Sequence, residues 1–149
     1  MGRDGESDRL TGLDASFLHP EESGPAHMHV ASVFLFDGRP PSHRELLDHV
    51  EHRLALVPRY RQRLAEVPLG QGRPRWVDDP HLNLEYHVRH AALPAPGEDA
   101  QLRALAGRLF AQRLDRGKPL SEIWLVEGLR DRPGHDGRAG RSRPAWAQG

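Results

Sequence analysis

The sequence predicts an α/β fold, and three observations predict it. Apolar residues are gathered into short segments, two of them repeating with the spacing of a helix while the others run continuously or alternate as strands do. The two kinds of segment are interleaved along the chain, as they are when amphipathic helices cover a mixed sheet. Hydrophobic residues make up only 37% of the 149 positions, while glycine and proline number 15 and 13, so the core reads as part of a larger one.

Residues 1–9 are polar and charged and read as a flexible N-terminus without the apolar stretch of a signal peptide. In Leu13-Asp-Ala-Ser-Phe-Leu-His19, Asp14 is placed to cap a short helical turn, leaving Phe17 and Leu18 to pack. After the polar turn at 21–25, Met28-His-Val-Ala-Ser-Val-Phe-Leu-Phe36 alternates and then ends almost wholly apolar, as a strand covered on both faces does. Asp37-Gly38 and Pro40-Pro41 end it.

Ser42-His-Arg-Glu45 is a capping box, which predicts a helix over 42–56. Leu46, Leu47, Val50 and Leu54 form its apolar stripe, Arg44, Asp48, Glu51 and Arg53 face water, and Pro58 closes it. Arg59, Arg61 and Arg63 then cluster within Pro58-Arg-Tyr-Arg-Gln-Arg-Leu64, read as the exposed face of an edge strand or extended segment. A loop over 68–74 leads into a short strand at Arg75-Trp76-Val77.

Leu82-Asn-Leu-Glu-Tyr-His-Val-Arg-His90 alternates with period two, predicting a half-buried strand with Leu82, Leu84, Tyr86 and Val88 on its covered face. Pro94-Ala-Pro-Gly97 breaks it, and 98–113 supplies a second amphipathic helix with Leu102, Leu105, Ala106 and Leu109 in register. Ile123-Trp-Leu-Val-Glu-Gly-Leu129 is a short apolar strand ended by glycine. From Asp131 to Gly149 the pattern gives way to arginine, glycine, proline and alanine, a composition that predicts disorder.

Several function classes are excluded by composition. Basic and acidic residues balance at 21 each, so no global field draws nucleic acid or an anionic membrane. The absence of cysteine removes disulfides, thiolate metal sites and cysteine nucleophiles. No window approaches the run of about 18 apolar residues that spans a bilayer. The expectation is a soluble cytoplasmic chain that meets membrane or lipid inclusions only peripherally.

Ten histidines offer the pairs His27 with His29, His49 with His52, and His87 with His90. None has a third ligand at matching spacing, so no metal site is assigned. His27 and His29 would share one strand face, which suits a substrate-facing pair as well as a solvated one. There is no Gly-x-Ser-x-Gly elbow, phosphate-binding glycine loop or His-Glu-x-x-His. His135-Asp136-Gly137 has catalytic residue types, but the tail around it offers nothing to hold them in place. No catalytic residue is assigned, and cofactor-binding residues stay unassigned.

Five motifs carry a resemblance. Leu13-Asp-Ala-Ser-Phe-Leu with Met28-His-Val, Leu56-Val-Pro-Arg-Tyr-Arg-Gln-Arg-Leu64, Pro74-Arg-Trp-Val-Asp-Asp-Pro80 with Tyr86-His-Val-Arg-His90, Leu114-Asp-Arg-Gly-Lys-Pro-Leu120, and Trp124-Leu-Val-Glu-Gly128 stand in the order of the bacterial wax ester synthase/acyl-CoA:diacylglycerol acyltransferase family. The chain resembles that family from Leu10 to Leu129. The resemblance implies a partial coenzyme-A-dependent acyltransferase half, like that of chloramphenicol acetyltransferase, with the active site in a tunnel between two halves. On this reading 10–129 is the N-terminal part of the acyltransferase domain. Residues 130–149 are a disordered, out-of-frame tail of the kind a shifted reading frame in a GC-rich gene produces.

The resemblance further implies acyl-CoA as co-substrate with no bound cofactor, diacylglycerol or a long-chain alcohol as acceptor, and triacylglycerol or wax ester as product. The partners implied are these lipids, a membrane or lipid-droplet surface touched peripherally, and a complementing C-terminal half. The family's general base lies in a His-His-x-x-x-Asp-Gly motif expected shortly after Gly128. Here Leu129 is followed by Arg-Asp-Arg-Pro-Gly-His-Asp-Gly, so no role passes to His135 and the chain alone is expected to be inactive. A second departure is Ser121, where the family carries the tryptophan of Pro-Leu-Trp. The alternative is a non-catalytic lipid- or protein-binding remnant, and either way unpaired strand edges predict self-association.

Overall fold

The computed structural model describes residues 9–11, 13, 16, 30–36, 38–67 and 72–130. Its elements are helix α1 (His43–Leu54), a 3-10 turn (Pro58–Arg61), strands β1 (Gln62–Ala65) and β2 (Arg75–Asp78), a single helical turn α2 (Leu84–His87), β3 (Val88–Ala92), α3 (Asp99–Phe110) and β4 (Ile123–Glu127). The α/β class holds. Antiparallel and parallel pairing are both present, divided between two small sheets: β1 pairs antiparallel with β2, and β3 pairs parallel with β4. No helix among the described residues is long and apolar enough to cross a membrane.

The capping box forms as the sequence predicts. The Glu45 N–H donates to Ser42 Oγ at 3.2 Å, and the Ser42 N–H donates to Glu45 Oε2 at 2.7 Å. Two amide donors that the first turn leaves unpaired are thereby satisfied. The helix stops at Leu54, short of the predicted 56, because the amides of Leu56 and Val57 bond three residues back, to Arg53 and Leu54, and tighten the chain ahead of Pro58.

The Ser42 backbone and hydroxyl bonds hold the Glu45 carboxyl below its ordinary value. A depressed carboxyl contributes stability above its unfolded pKa and loses it as pH falls through the folded one. Glu45→Gln is therefore expected to lower the melting temperature at neutral pH and to match the parent in acid. Ser42→Ala should cost about 1 kcal/mol; equal melting temperatures for parent and Ser42→Ala would remove the cap from the account.

The buried apolar residues are Leu10, Leu47, Leu64, Val88 and Leu93, and Val88 is wholly enclosed. Leu47 belongs to the predicted stripe of α1, which packs on β3. His43 fixes that contact by donating from Nε2 to the Val88 carbonyl at 2.7 Å. Leu10 is held against the start of β2 by bonds from its amide to the Pro74 carbonyl (3.1 Å) and from Arg73 to its own carbonyl (3.3 Å).

Parallel pairing continues beyond the ends of β3 and β4. The Leu93 amide donates to the Glu127 carbonyl and the Arg130 amide to the Gly97 carbonyl, both at 2.8 Å. Gly97 and Gly128 adopt positive φ of 73° and 83° where these two turns meet.

Two segments differ from expectation. The stretch 82–90 is not one strand, because Asn83 Oδ1 accepts the Glu85 amide at 3.0 Å and caps α2, so pairing begins only at Val88. Burial still alternates, with Leu82, Leu84 and Tyr86 half-buried between exposed Asn83 and Glu85, but His87, expected on the open face, is buried beside Val88. Residues 30–36 form no ladder, with Val30 95% and Phe34 75% exposed. A strand apolar on both faces needs covering layers and paired neighbours, and none of the described residues provides them. The expected turn at 13–19, the beginning of the strand at Met28, the flexible N-terminus up to residue 8 and the tail from 131 lie outside, or almost outside, the described residues.

Candidate functional site

One trough stands out among the described residues, a cavity of about 710 Å³. Val50 and Leu54, one helical turn apart on α1, form one wall. Leu84, His87 and Val88 form the floor, and the end of α3 with Leu109 and Phe110 faces the start of β4 with Ile123 and Trp124. The predicted stripe of α1 thus divides its work: Leu47 fills the core and Val50 with Leu54 lines the trough.

His87 is the buried polar side chain of this region, 6% exposed. Its Nδ1 lies 2.7 Å from the Ser121 carbonyl oxygen. A carbonyl only accepts, so Nδ1 carries the proton. Tyr86 meets the imidazole edge-on at 5.1 Å, and the Tyr86 ring is flanked by the Arg89 guanidinium and the Lys118 ammonium, each 4.6 Å from its centre. Arg89 also lies over Trp124 at 5.4 Å and donates to the Tyr86 carbonyl at 2.8 Å. Glu122 accepts from Trp124 Nε1 at 3.1 Å and lies 3.8 Å from Arg89.

This network fastens residues 118–124 to the start of β3. His87 uses the backbone carbonyl of Ser121 and not its side chain.

The other histidines are engaged separately. His49 Nδ1 accepts from Arg53 at 3.2 Å, and burial, followed by the neighbouring charges of Arg53 and His52, holds its pKa below the ordinary histidine value. His52 Nδ1 donates to the Asp48 carbonyl at 2.6 Å. The pair His87 and His90 is split: His90 lies 3.3 Å from Glu127 and stacks on His43 at 6.2 Å, away from the Ser121 contact. No three histidine, aspartate or glutamate side chains among the described residues converge on a point that could hold a metal. His27, His29, His135, Asp136 and Gly137 lie outside the described residues.

The arginine cluster is largely solvated, as expected, with Arg59 and Arg61 exposed and Arg63 half-buried in β1. Arg59 is tied down over the Trp76 ring at 4.6 Å. The bond from His87 to Ser121 was not foreseeable from spacing, because its partners lie far apart in sequence; the one signal was a histidine within an otherwise apolar alternation.

An α/β chain with parallel strands joined through a helix and an apolar trough beside them has the architecture of a coenzyme-A-dependent acyltransferase segment. A solved wax ester synthase/diacylglycerol acyltransferase from Marinobacter aquaeolei VT8 superposes with a TM-score of 0.52 at 34% identity, over 66% of this chain and 24% of that one. The model of the wax ester synthase/diacylglycerol acyltransferase catalytic domain matches residues 10–133, and the chain belongs to this family. Relatives include "Probable diacyglycerol O-acyltransferase tgs3" of Mycobacterium tuberculosis, 45% identical over 122 residues, which are 81% of this chain and 45% of that protein. "Probable diacyglycerol O-acyltransferase tgs1" of the same species is 42% identical over 123 residues, 82% of this chain and 27% of its own length. The chain spans less than half the length of these relatives.

Proposed function

We propose that this chain supplies one wall of the lipid tunnel of an O-acyltransferase. The enzyme moves a fatty acyl group from acyl-CoA to the hydroxyl of a diacylglycerol or long-chain alcohol, giving triacylglycerol or wax ester. The observation that carries the reading is the 710 Å³ trough with its aliphatic walls, of the size and character of a small-molecule site, in a chain of this family. The relatives' names support diacylglycerol as acceptor, and the Marinobacter protein's name supports an alcohol as well.

The family's paired histidines do not occur in the 149 residues, and His135 stands directly before Asp136. In this reading the proton of the attacking hydroxyl is taken by a base on a complementing C-terminal half, and residues 10–130 hold and align lipid. We read 131–149 as the product of a shifted frame, a reading that sequencing of the gene tests. The exposed Phe34, Leu35 and Phe36 support peripheral contact with a membrane or lipid droplet. They also favour the second reading, a lipid- or protein-binding remnant without turnover.

The test is transfer of radiolabelled palmitoyl-CoA to diacylglycerol and to hexadecanol, run beside His135→Ala. The expected result is retention of the acyl chain by the protein without ester formation, restored when a family C-terminal half is added. Turnover that His135→Ala abolishes would place the base in this chain, and failure to retain acyl chains would remove the lipid reading.

A further inference from the structure

His87 brings to the trough a buried ring nitrogen whose bonding capacity the described residues leave open. With Nδ1 donating to the Ser121 carbonyl at 2.7 Å, the neutral His87 ring carries its lone pair on Nε2. Among the described residues no N–H or O–H is bonded to that nitrogen, and the Tyr86 ring meets the imidazole at 5.1 Å. His87 is 6% exposed, and Leu84, Val88, Leu120 and Ile123 line the trough with it. Glu122, the carboxylate on the same wall, already has Trp124 and Arg89 as partners.

A buried acceptor without a donor is a standing cost in a folded protein, and a ligand that brings an O–H to it removes that cost. An ammonium head would lack a free anion here. A carboxylate head would set its own lone pairs against the lone pair of Nε2, and Arg53, Arg113 and Arg116, which also line the trough, already have partners of their own. An uncharged hydroxyl on an alkyl chain satisfies both the nitrogen and the apolar walls.

We infer that His87 Nε2 accepts a hydrogen bond from an aliphatic hydroxyl at the head of an alkyl chain lying in this trough. The inference rests on the proposal that the trough takes lipid, and adds which end of the lipid is read and by which atom. The Ser121 carbonyl sets the tautomer, so the backbone of 119–122 decides that the ring offers an acceptor and not a donor. A primary long-chain alcohol and the free hydroxyl of a diacylglycerol share this chemistry; the bond to Nε2 is a binding pose, from which the hydroxyl turns its proton to the base on the complementing half before it attacks.

Calorimetric titration of the full chain with 1-decanol, decyl methyl ether and 1,2-dioctanoylglycerol tests it, in the parent and in His87→Asn. The asparagine amide can keep a donor near the Ser121 carbonyl while leaving nothing at the position of Nε2. The preference for decanol over its ether is expected to be about tenfold greater in the parent than in His87→Asn. The solvation difference between the two ligands cancels in that ratio. Loss of dioctanoylglycerol affinity in the variant alongside loss of decanol affinity assigns both acceptors to the site, and loss of one assigns that one.

An alcohol-to-ether ratio that is the same in both proteins overturns the inference while leaving the lipid trough intact. Absence of binding by alcohol and ether alike overturns the trough as a lipid site, and the inference with it. Should His87→Asn not fold, the parent decides the matter alone: the His87 Nε2 nitrogen resonance is expected to shift with decanol and not with the ether. No shift overturns the assignment.

Discussion

Gly97→Ala is expected to remove a large share of the protein's folding stability. Gly97 has φ +73°, a conformation that a side chain resists, and a Cβ there would stand far inside van der Waals contact distance of the Gly128 carbonyl oxygen. The obstacle is backbone, itself held by the continuation of the ladder: Gly97 donates to the Pro94 carbonyl at 2.9 Å and accepts from the Arg130 amide at 2.8 Å. Neither side can withdraw without breaking a bond. The left-handed conformation and the displaced turn together should cost roughly 3 kcal/mol or more. That is a large share of the roughly 5–15 kcal/mol available to an ordinary domain.

Gly128→Ala should be milder, since its Cβ would approach the Leu93 carbonyl oxygen at 3.0 Å, a contact that small shifts relieve. Urea titration followed by circular dichroism checks both. A Gly97→Ala midpoint equal to that of the parent would mean that the two turns do not clasp in solution.

Val88→Asp should be as damaging for a different reason. Val88 is fully enclosed, between α1 above and the pairing with Ile123 on β4. His43 Nε2, a donor beside it, is already committed to the Val88 carbonyl at 2.7 Å. A carboxylate at this position has neither water nor a partner, and its insertion is expected to cost on the order of 4 kcal/mol.

Burial raises the pKa of such a group, so the folded form tolerates it best when protonated. The loss should therefore shrink as pH falls and grow as pH rises through the raised value. Val88→Ala, which only removes volume, should cost about 2 kcal/mol with no such pH dependence. A cooperative Val88→Asp transition at the parent's midpoint at neutral pH would show that Val88 is not the centre of the core.

Legibility in the sequence followed the range of the forces involved. The start of α1 was readable because Ser42 and Glu45 satisfy each other within one turn. The stripe of α1, the short β2 and the glycine that ends β4 were readable for the same reason, each being decided by neighbouring residues. The alternation from Leu82 to His90 misled because a local bond, the Asn83 cap, outcompeted the ladder over its first half. A period of two records which faces are apolar and does not record whether a polar side chain will close a turn first.

Residues 30–36 misled in the opposite direction. Their apolar pattern describes an environment that other segments must create, and among the described residues that environment is missing. The trough was half legible, through the stripe of α1, but the bond from His87 to Ser121 joins residues that only the fold brings together. The resemblance that the five motifs carry was placed at Leu10 to Leu129, nearly the stretch of 10–133 that the family model matches.

The parallel pairing of Val88–Ala92 with Ile123–Glu127 also dictates an order of events during synthesis. Parallel neighbours cannot close as a hairpin, so β3 must wait until the loop, α3 and β4 have all been made. At translation rates of roughly 5–20 residues per second, that wait is on the order of seconds. Throughout it Val88, the residue most hidden in the finished protein, faces solvent or a chaperone with no strand to cover it. The nascent chain thus stays vulnerable to misassociation until β4 emerges. Codon choice between Ala92 and Ile123 then bears on yield as directly as any side chain in the core.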